Sequence, residues 1–280
     1  MKKLKELTIK DSFMFGAVMS IPENCKGLLE LILHKKIGQI IVSKEKSIVY
    51  HPEYKGVRLD VYAKDEVSTH YNVEMQVLKK PALGKRSRYY QSQMDMELLL
   101  SGADYGQLPN TYIIFICDFD PFGQKKYCYT FQNQCEESKK SKLEDGRCII
   151  FLSTCGENED EVPKELVSFL NFVRADVGES AKEFEDDYVQ RLQDTILHIK
   201  ANREMEERFM ILEEMLRDER LEGERRGMVL ALQSVLQKYG QLPDELLEKF
   251  QKEEDLEVLT YWVRVAAEVN SLEEFVQKVQ

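Results

Sequence analysis

Residues 56–76 read GVRLDVYAKDEVSTHYNVEMQ, and this stretch decides the fold. Val57, Leu59 and Val61 alternate with Arg58, Asp60 and Tyr62. Val73, Met75 and Val77 alternate with Glu74 and Gln76. Side chains in a strand alternate with period two, so Glu74 and Gln76 share one face. A polar turn between the two runs makes them a hairpin, closed across residues 64–70. That pairing brings Asp60 towards Glu74. Two neighbouring carboxylates repel unless a cation or proton lies between them. Hard divalent ions such as magnesium take oxygen ligands of this kind, so the hairpin is a candidate metal site needing no cysteine or histidine.

The totals set limits around this core. A chain of 280 residues, 43% of them hydrophobic, supports one large domain or two smaller ones and argues against wholesale disorder. No apolar run reaches the length of a membrane span. The start, MKKLKELTIKDSFMF, has basic residues but no signal-peptide hydrophobic region, and the expectation is a cytoplasmic protein without membrane contact. The six cysteines form no CxxC pair, which reads as free thiols in a reducing compartment. Net charge is −11, but unevenly spread. Residues 1–175 hold 25 basic and 24 acidic side chains, against 14 and 26 in residues 176–280. Overall acidity opposes non-specific binding to nucleic acid, while leaving room for a local basic groove in the first part.

Outward from the hairpin, Asp11 is placed to cap a short helix carrying Phe13, Phe15 and Val18. Pro22 opens a second helix through about Lys35, on which Glu30 lies beside the stripe of Leu28, Leu29, Ile32 and Leu33. Spacing alone makes Glu30 a solvated helix glutamate more readily than a ligand at the metal's edge. Residues 37–42 and 46–50 read as two short strands. Pro81 ends the second hairpin strand, and a helix follows over residues 84–101. Lys79, Lys80, Lys85, Arg86 and Arg88 gather before and inside its first turns, beside the acidic strand ends. Tyr89 and Tyr90 are candidates for stacking, hydrogen bonding or core packing. NTYIIFIC, residues 110–117, is apolar enough for a buried central strand. Strands at 126–131 and 148–153 and a helix at 163–174 complete the first part.

From about residue 179 onwards the chain is helical. Gly223 and Gly227 argue for a break before a helix at 228–239 that ends at Gly240. Further helices are expected at 243–250 and 254–267, with Ser271 capping a last one. This acidic extension, residues 176–280, carries no catalytic constellation. It is a candidate for oligomerisation, as a homodimer, or for regulation by covering the basic groove.

The ordered pieces DSFMF at Asp11, GLLELIL at Gly27, RLDVYAKDE at Arg58, YNVEMQ at Tyr71 and RSRYYQSQMD at Arg86, with the apolar strand before Asp118, resemble the recombination-promoting nuclease and transposase branch of the PD-(D/E)xK nuclease superfamily. The resemblance covers about residues 4–172. It implies an α/β fold: a restriction-endonuclease-like mixed sheet flanked by helices over residues 1–175, followed by the helical C-terminal region. It implies a metal-dependent DNA endonuclease using Mg2+, or Mn2+ in its place, and a link to recombination or mobile DNA. Asp60 matches the metal-binding aspartate and Glu74 the acid of the E-x-K position, with the backbone carbonyl of Met75 as a further ligand. Gln76 stands where the superfamily usually has lysine, so a positive charge is missing that Lys79, Lys80 or Arg86 would have to supply. Glu30 matches an acidic site residue on the first core helix, and Arg86 and Tyr90 match the family's basic and aromatic helix pattern. Asp11 and Arg58, each opening a matching stretch, are candidates for supporting roles. Lys79, Lys80, Lys85, Arg86, Arg88 and Tyr90 are the candidate DNA contacts, most of them to phosphate. Two other readings stay open. One is a DNA-binding pseudonuclease, motivated by Gln76. The other is a protein-interaction module acting through the helical tail.

Overall fold

A computed structural model describes residues 2–48, 53 and 55–279. Its first element of consequence is the hairpin of β2 (Val57–Asp65) and β3 (His70–Gln76). The turn is nailed by one side chain. Asp65 accepts the backbone N–H groups of Val67 at 3.1 Å and Thr69 at 2.7 Å, and the Tyr71 hydroxyl at 2.7 Å. An aspartate that satisfies the backbone of its own turn fixes the loop, and the loop fixes the register. Lys64 pairs with His70 and Val61 with Val73.

The described residues form a six-stranded mixed sheet, in the order β1-β2-β3-β4-β6-β5. Here β1 is Ile40–Ile48, β4 Thr111–Cys117, β5 Cys128–Phe131 and β6 Arg147–Ser153. β1 and β2 are antiparallel, as are β2 and β3; β3, β4 and β6 run parallel, and β5 returns antiparallel on the edge. The parallel centre explains the apolar sequence of β4, of which Ile113–Cys117 are fully buried. Strand β1 departs from the two-strand expectation. Ser43 and Lys46 stay in its ladder opposite Tyr62 and Leu59, because a sheet edge tolerates polar residues. Val49 and Tyr50, the end of the second expected strand, lie outside the described residues.

All seven residues of β3 are buried, so both faces of the sheet centre are covered. Helix α3 (Leu83–Leu98) takes the face of His70, Asn72, Glu74 and Gln76, packing with Tyr62, Ile113 and Phe115. Helices α1 (Ser12–Met19) and α2 (Pro22–Leu33) pack on β1, with α1 also on β2. Lys35, just past α2, sits over the rings of Tyr71 and Tyr112, which point away from α3. Helices α4 (Lys164–Arg174) and α5 (Asp187–Ala201) pack on this second layer.

The chain divides into two compact units, Met1–Glu206 and Glu207–Gln280. The sequence division at 175/176 put α5 in the extension. The structure instead buries Val189, Leu192, Ile196 and Ile199, and α5 is tied to α2 by the Tyr188 hydroxyl on the Asn24 carbonyl at 2.8 Å. Helix α6 runs unbroken from Arg203 to Leu236, through both Gly223 and Gly227. The second unit has its own core. Val229, Leu232 and Leu236 pack with Phe250, Trp262 and Phe275 from α7 (Asp244–Lys252), α8 (Leu256–Glu268) and α9 (Leu272–Lys278). Ser271 caps α9 as expected, its hydroxyl accepting the Glu274 N–H at 3.1 Å.

Candidate functional site

The β2–β3 ladder ends at Val61↔Val73, one residue short of the acids. Beyond that point the strands fork, and side chains replace the missing backbone bonds. The Met75 N–H donates to Asp60 Oδ2 at 3.1 Å, and the Asp60 N–H donates to Glu74 Oε1 at 3.2 Å. Each acid therefore holds the other's strand. The Met75 N–H and C=O leave β3 on the same edge, so its carbonyl also faces the fork.

Helix α3 closes the site from above. Arg86 donates from Nη2 to Glu74 Oε2 at 2.8 Å, from Nη1 to Gln76 Oε1 at 2.6 Å, and from Nε to the Tyr90 hydroxyl at 2.8 Å. Its guanidinium carbon lies 4.9 Å from the Tyr90 ring centroid. Gln76 is fixed at its other end too, donating to the Leu78 carbonyl at 2.7 Å. Asp60, Glu74, Gln76, Arg86 and Tyr90 are thus brought together on one face of the sheet.

The electrostatics follow from burial. Glu74 is fully buried, and loss of water raises its carboxyl to about 7. The neighbouring charge of Asp60 adds to the rise, and the Arg86 guanidinium opposes it. A carboxyl so placed is poised between charge states near neutrality and gains from any second cation. The Tyr90 hydroxyl is also raised, by burial first and then by Glu74.

The donor set fits a hard divalent ion. Two carboxylates, an amide oxygen and a main-chain carbonyl converge on one fork, and a positive guanidinium already bonds two of these groups, Glu74 and Gln76. Among the described residues no group of three or more aspartate, glutamate, histidine or cysteine side chains gathers as a metal site would.

The other residues singled out from sequence fall elsewhere. Lys79 and Lys80 are exposed in the segment leaving β3, and Lys85 and Arg88 are exposed on the first turns of α3. Arg58 is exposed on β2, between Val57 and Leu59, which pack in the core beneath α3. Glu30 is not brought to the fork. It stands on α2, in the other layer, where Oε1 accepts the Ile37 N–H at 2.8 Å and Oε2 lies 3.6 Å from Lys36. Asp11 occupies the N-cap position of α1 without capping it. Its carboxylate turns back to the Thr8 N–H at 2.7 Å and to Lys2 at 2.7 Å.

One site neighbour escaped the sequence reading. Asn72 lies two residues before Glu74 on the same face, fully buried. Its amide is near enough to favour the charged Glu74, yet makes no hydrogen bond of ordinary geometry. The signal was present: the polar series His70, Asn72, Glu74, Gln76 at period two, on a strand with no exposed face.

Among known proteins, a family model described as PD-(D/E)XK nuclease family transposase matches residues 12–224. No curated protein and no solved structure matches the chain.

Proposed function

The chain belongs to the PD-(D/E)XK nuclease family transposases, and on that premise we propose that it is a metal-dependent DNA endonuclease cutting at the β2–β3 fork. The observation that supports this most is the convergence of Asp60, Glu74, Gln76 and Arg86 where the strands separate. Asp60 and Glu74, with the Met75 carbonyl, would hold Mg2+ or Mn2+. When bound, such an ion polarises the scissile phosphate and acidifies a water ligand. Arg86 supplies the positive charge that lysine would bring at position 76. Its guanidinium is held by Gln76 and Tyr90, so yielding Glu74 to a metal leaves one N–H edge for a non-bridging phosphate oxygen. Gln76 orients that arginine and accepts or donates hydrogen bonds; it is no base at neutral pH. Lys79, Lys80, Lys85 and Arg88 bind the flanking phosphates, giving affinity rather than base readout. The family's description as transposase supports a role in recombination or mobile DNA.

The test is cleavage of supercoiled plasmid with magnesium or manganese by the wild type, Asp60→Ala and Glu74→Ala. Cleavage lost in both variants supports the reading; equal residual cleavage in all three points to a contaminant and rejects it. The closed Arg86–Glu74–Gln76 network favours one second reading, a DNA-binding pseudonuclease in which arginine replaces the metal for good. Salt-sensitive DNA binding without metal-dependent cleavage would establish that alternative.

A further inference from the structure

The α3 face of the sheet carries a run of aromatic rings that continues past the helix into solvent. Tyr90, which holds Arg86, stacks on Phe115 at 6.3 Å between centroids, and Phe115 stacks on Phe151 at 5.1 Å. Phe151 in turn meets Phe122 at 5.1 Å and Phe131 at 5.8 Å, both edge-on. Phe122 also touches Tyr129 at 4.9 Å. The first rings are buried, but Phe122 is 40% exposed and Phe131 45%. Phe122 and Phe131 also meet one another, at 5.1 Å between centroids, so the two partly exposed rings form one small apolar patch.

The loop that presents Phe122 is built, not frayed. Asp120 accepts the Phe122 N–H at 3.0 Å, the Lys125 N–H at 2.7 Å and the Tyr129 hydroxyl at 2.8 Å. The Asp120 carboxylate is thereby spent inside the loop. Gly123 supplies the positive φ, +71°, that the turn requires, and a side chain there would strain it. The loop leaves β4 directly after Cys117, which pairs with Gln76 at the end of β3. Loop and candidate site therefore share one end of the sheet.

We infer that this aromatic shelf stacks the unpaired bases of a DNA substrate whose phosphate lies at Asp60 and Glu74, so that the enzyme prefers single-stranded or frayed DNA to duplex. The inference rests on the nuclease reading and names its substrate class. Every base has a π-face, so a ring platform binds bases without regard to sequence. Cations stand beside the rings, among the carboxylates of Glu157 and of the acidic turn Glu159–Glu161. Lys125 and Lys126 flank the rings in exposed ion pairs with Glu157 and Glu161, 2.7 Å each, and such pairs are weak enough to be exchanged for phosphate. Exposed Lys79 and Lys80 stand at the same end of the sheet. A shelf made to pack against another protein would have no need of continuity with Tyr90 and Arg86.

The test is fluorescence anisotropy with labelled oligodeoxythymidine and with a blunt duplex of equal length, in EDTA so that nothing is cut. The wild type should bind the unpaired strand more tightly. Phe122→Ala and Phe131→Ala should each weaken that binding about tenfold and leave duplex binding unchanged. Phe122→Trp, which keeps a ring to stack on, should retain it. Unchanged affinity for the unpaired strand in both alanine variants overturns the inference, as does an equal loss on both DNAs. A fall in mass from dimer to monomer in those variants, with DNA affinity intact, would make the shelf a contact between copies and also overturn it. The two readings fail separately. If Asp60→Ala leaves cleavage intact while Phe122→Ala weakens unpaired-strand binding, the nuclease assignment falls and the shelf stands. If only Asp60→Ala has an effect, the shelf falls.

Discussion

Glu74→Gln should change how the metal-free protein responds to pH more than how stable it is at any one pH. Burial and the charge of Asp60 lift the Glu74 carboxyl from the ordinary 4.5 to about 7. A folded-state value above the unfolded one means that the native protein binds the proton more tightly. The stability this contributes is full below the unfolded value and is lost as pH rises through about 7. A shift of this size corresponds to about 3 kcal/mol in all, of which about 2.5 kcal/mol falls between roughly pH 5 and pH 8. Glutamine carries no such proton. It also leaves Arg86 without its carboxylate partner, but the pH-dependent part of that pairing is already contained in the Glu74 shift, and the remainder is a constant offset that drops out of the comparison. The assay is urea denaturation of both proteins across this range, in EDTA. The stability gap between them should move by about 2.5 kcal/mol towards the variant as pH rises. A gap that stays constant would refute the claim that Glu74 is held in a desolvated, acid-repelled position. Magnesium should offset part of this fall for the wild type, adding about 1.4 kcal/mol at ten times its dissociation constant.

Arg86→Ala should cost about 2–4 kcal/mol at roughly pH 8, because it strands a buried carboxylate, and less at roughly pH 5, where Glu74 takes a proton instead; urea titration measures both. Gly223→Ala and Gly227→Ala, at helical positions with nothing within 4 Å, should each raise stability by about 0.5–1 kcal/mol. Gly240→Ala, at φ +112°, should lower it by about 1–3 kcal/mol in the same assay. Met210, Ile211 and Met215 on α6 are all more than half exposed, which supports self-association through the helical extension. Light scattering should give twice the 32.8 kDa chain mass, falling to one chain when all three are replaced by glutamate; a wild-type monomer would remove the idea.

The site was legible where local rules and long-range packing agree. Period-two alternation put Glu74 and Gln76 on one face, and the polar turn at Asp65 brought Asp60 alongside. The continuous apolar run of β4 announced its place in the centre. Sequence reasoning departed from the structure where tertiary contacts decide. Glu30 sits at an apolar stripe's border, which leaves its direction open; only packing sends it to the Ile37 N–H. Asp11 has the composition of a cap, but the Thr8 N–H competes for the same carboxylate. Gly223 and Gly227 weaken a helix by about 1 kcal/mol each, too little to break one carried by thirty-four residues and the Glu222 pairs with Arg225 and Arg226. Helix α5 looked like tail because its stripe is short, and its partners on α1, α2 and α4 are set by the fold rather than by local sequence. The convergence of Arg86 on Glu74 could be suspected from the basic cluster, but its three-way hold needed coordinates.

Calorimetric titration of Mn2+ into wild type, Asp60→Ala and Glu74→Ala tests the central claim, that these two carboxylates share one divalent ion. The wild type should bind, and each variant should lose most of that affinity on its own. Equal binding by all three proteins would place the metal elsewhere and leave the fork without its chemistry.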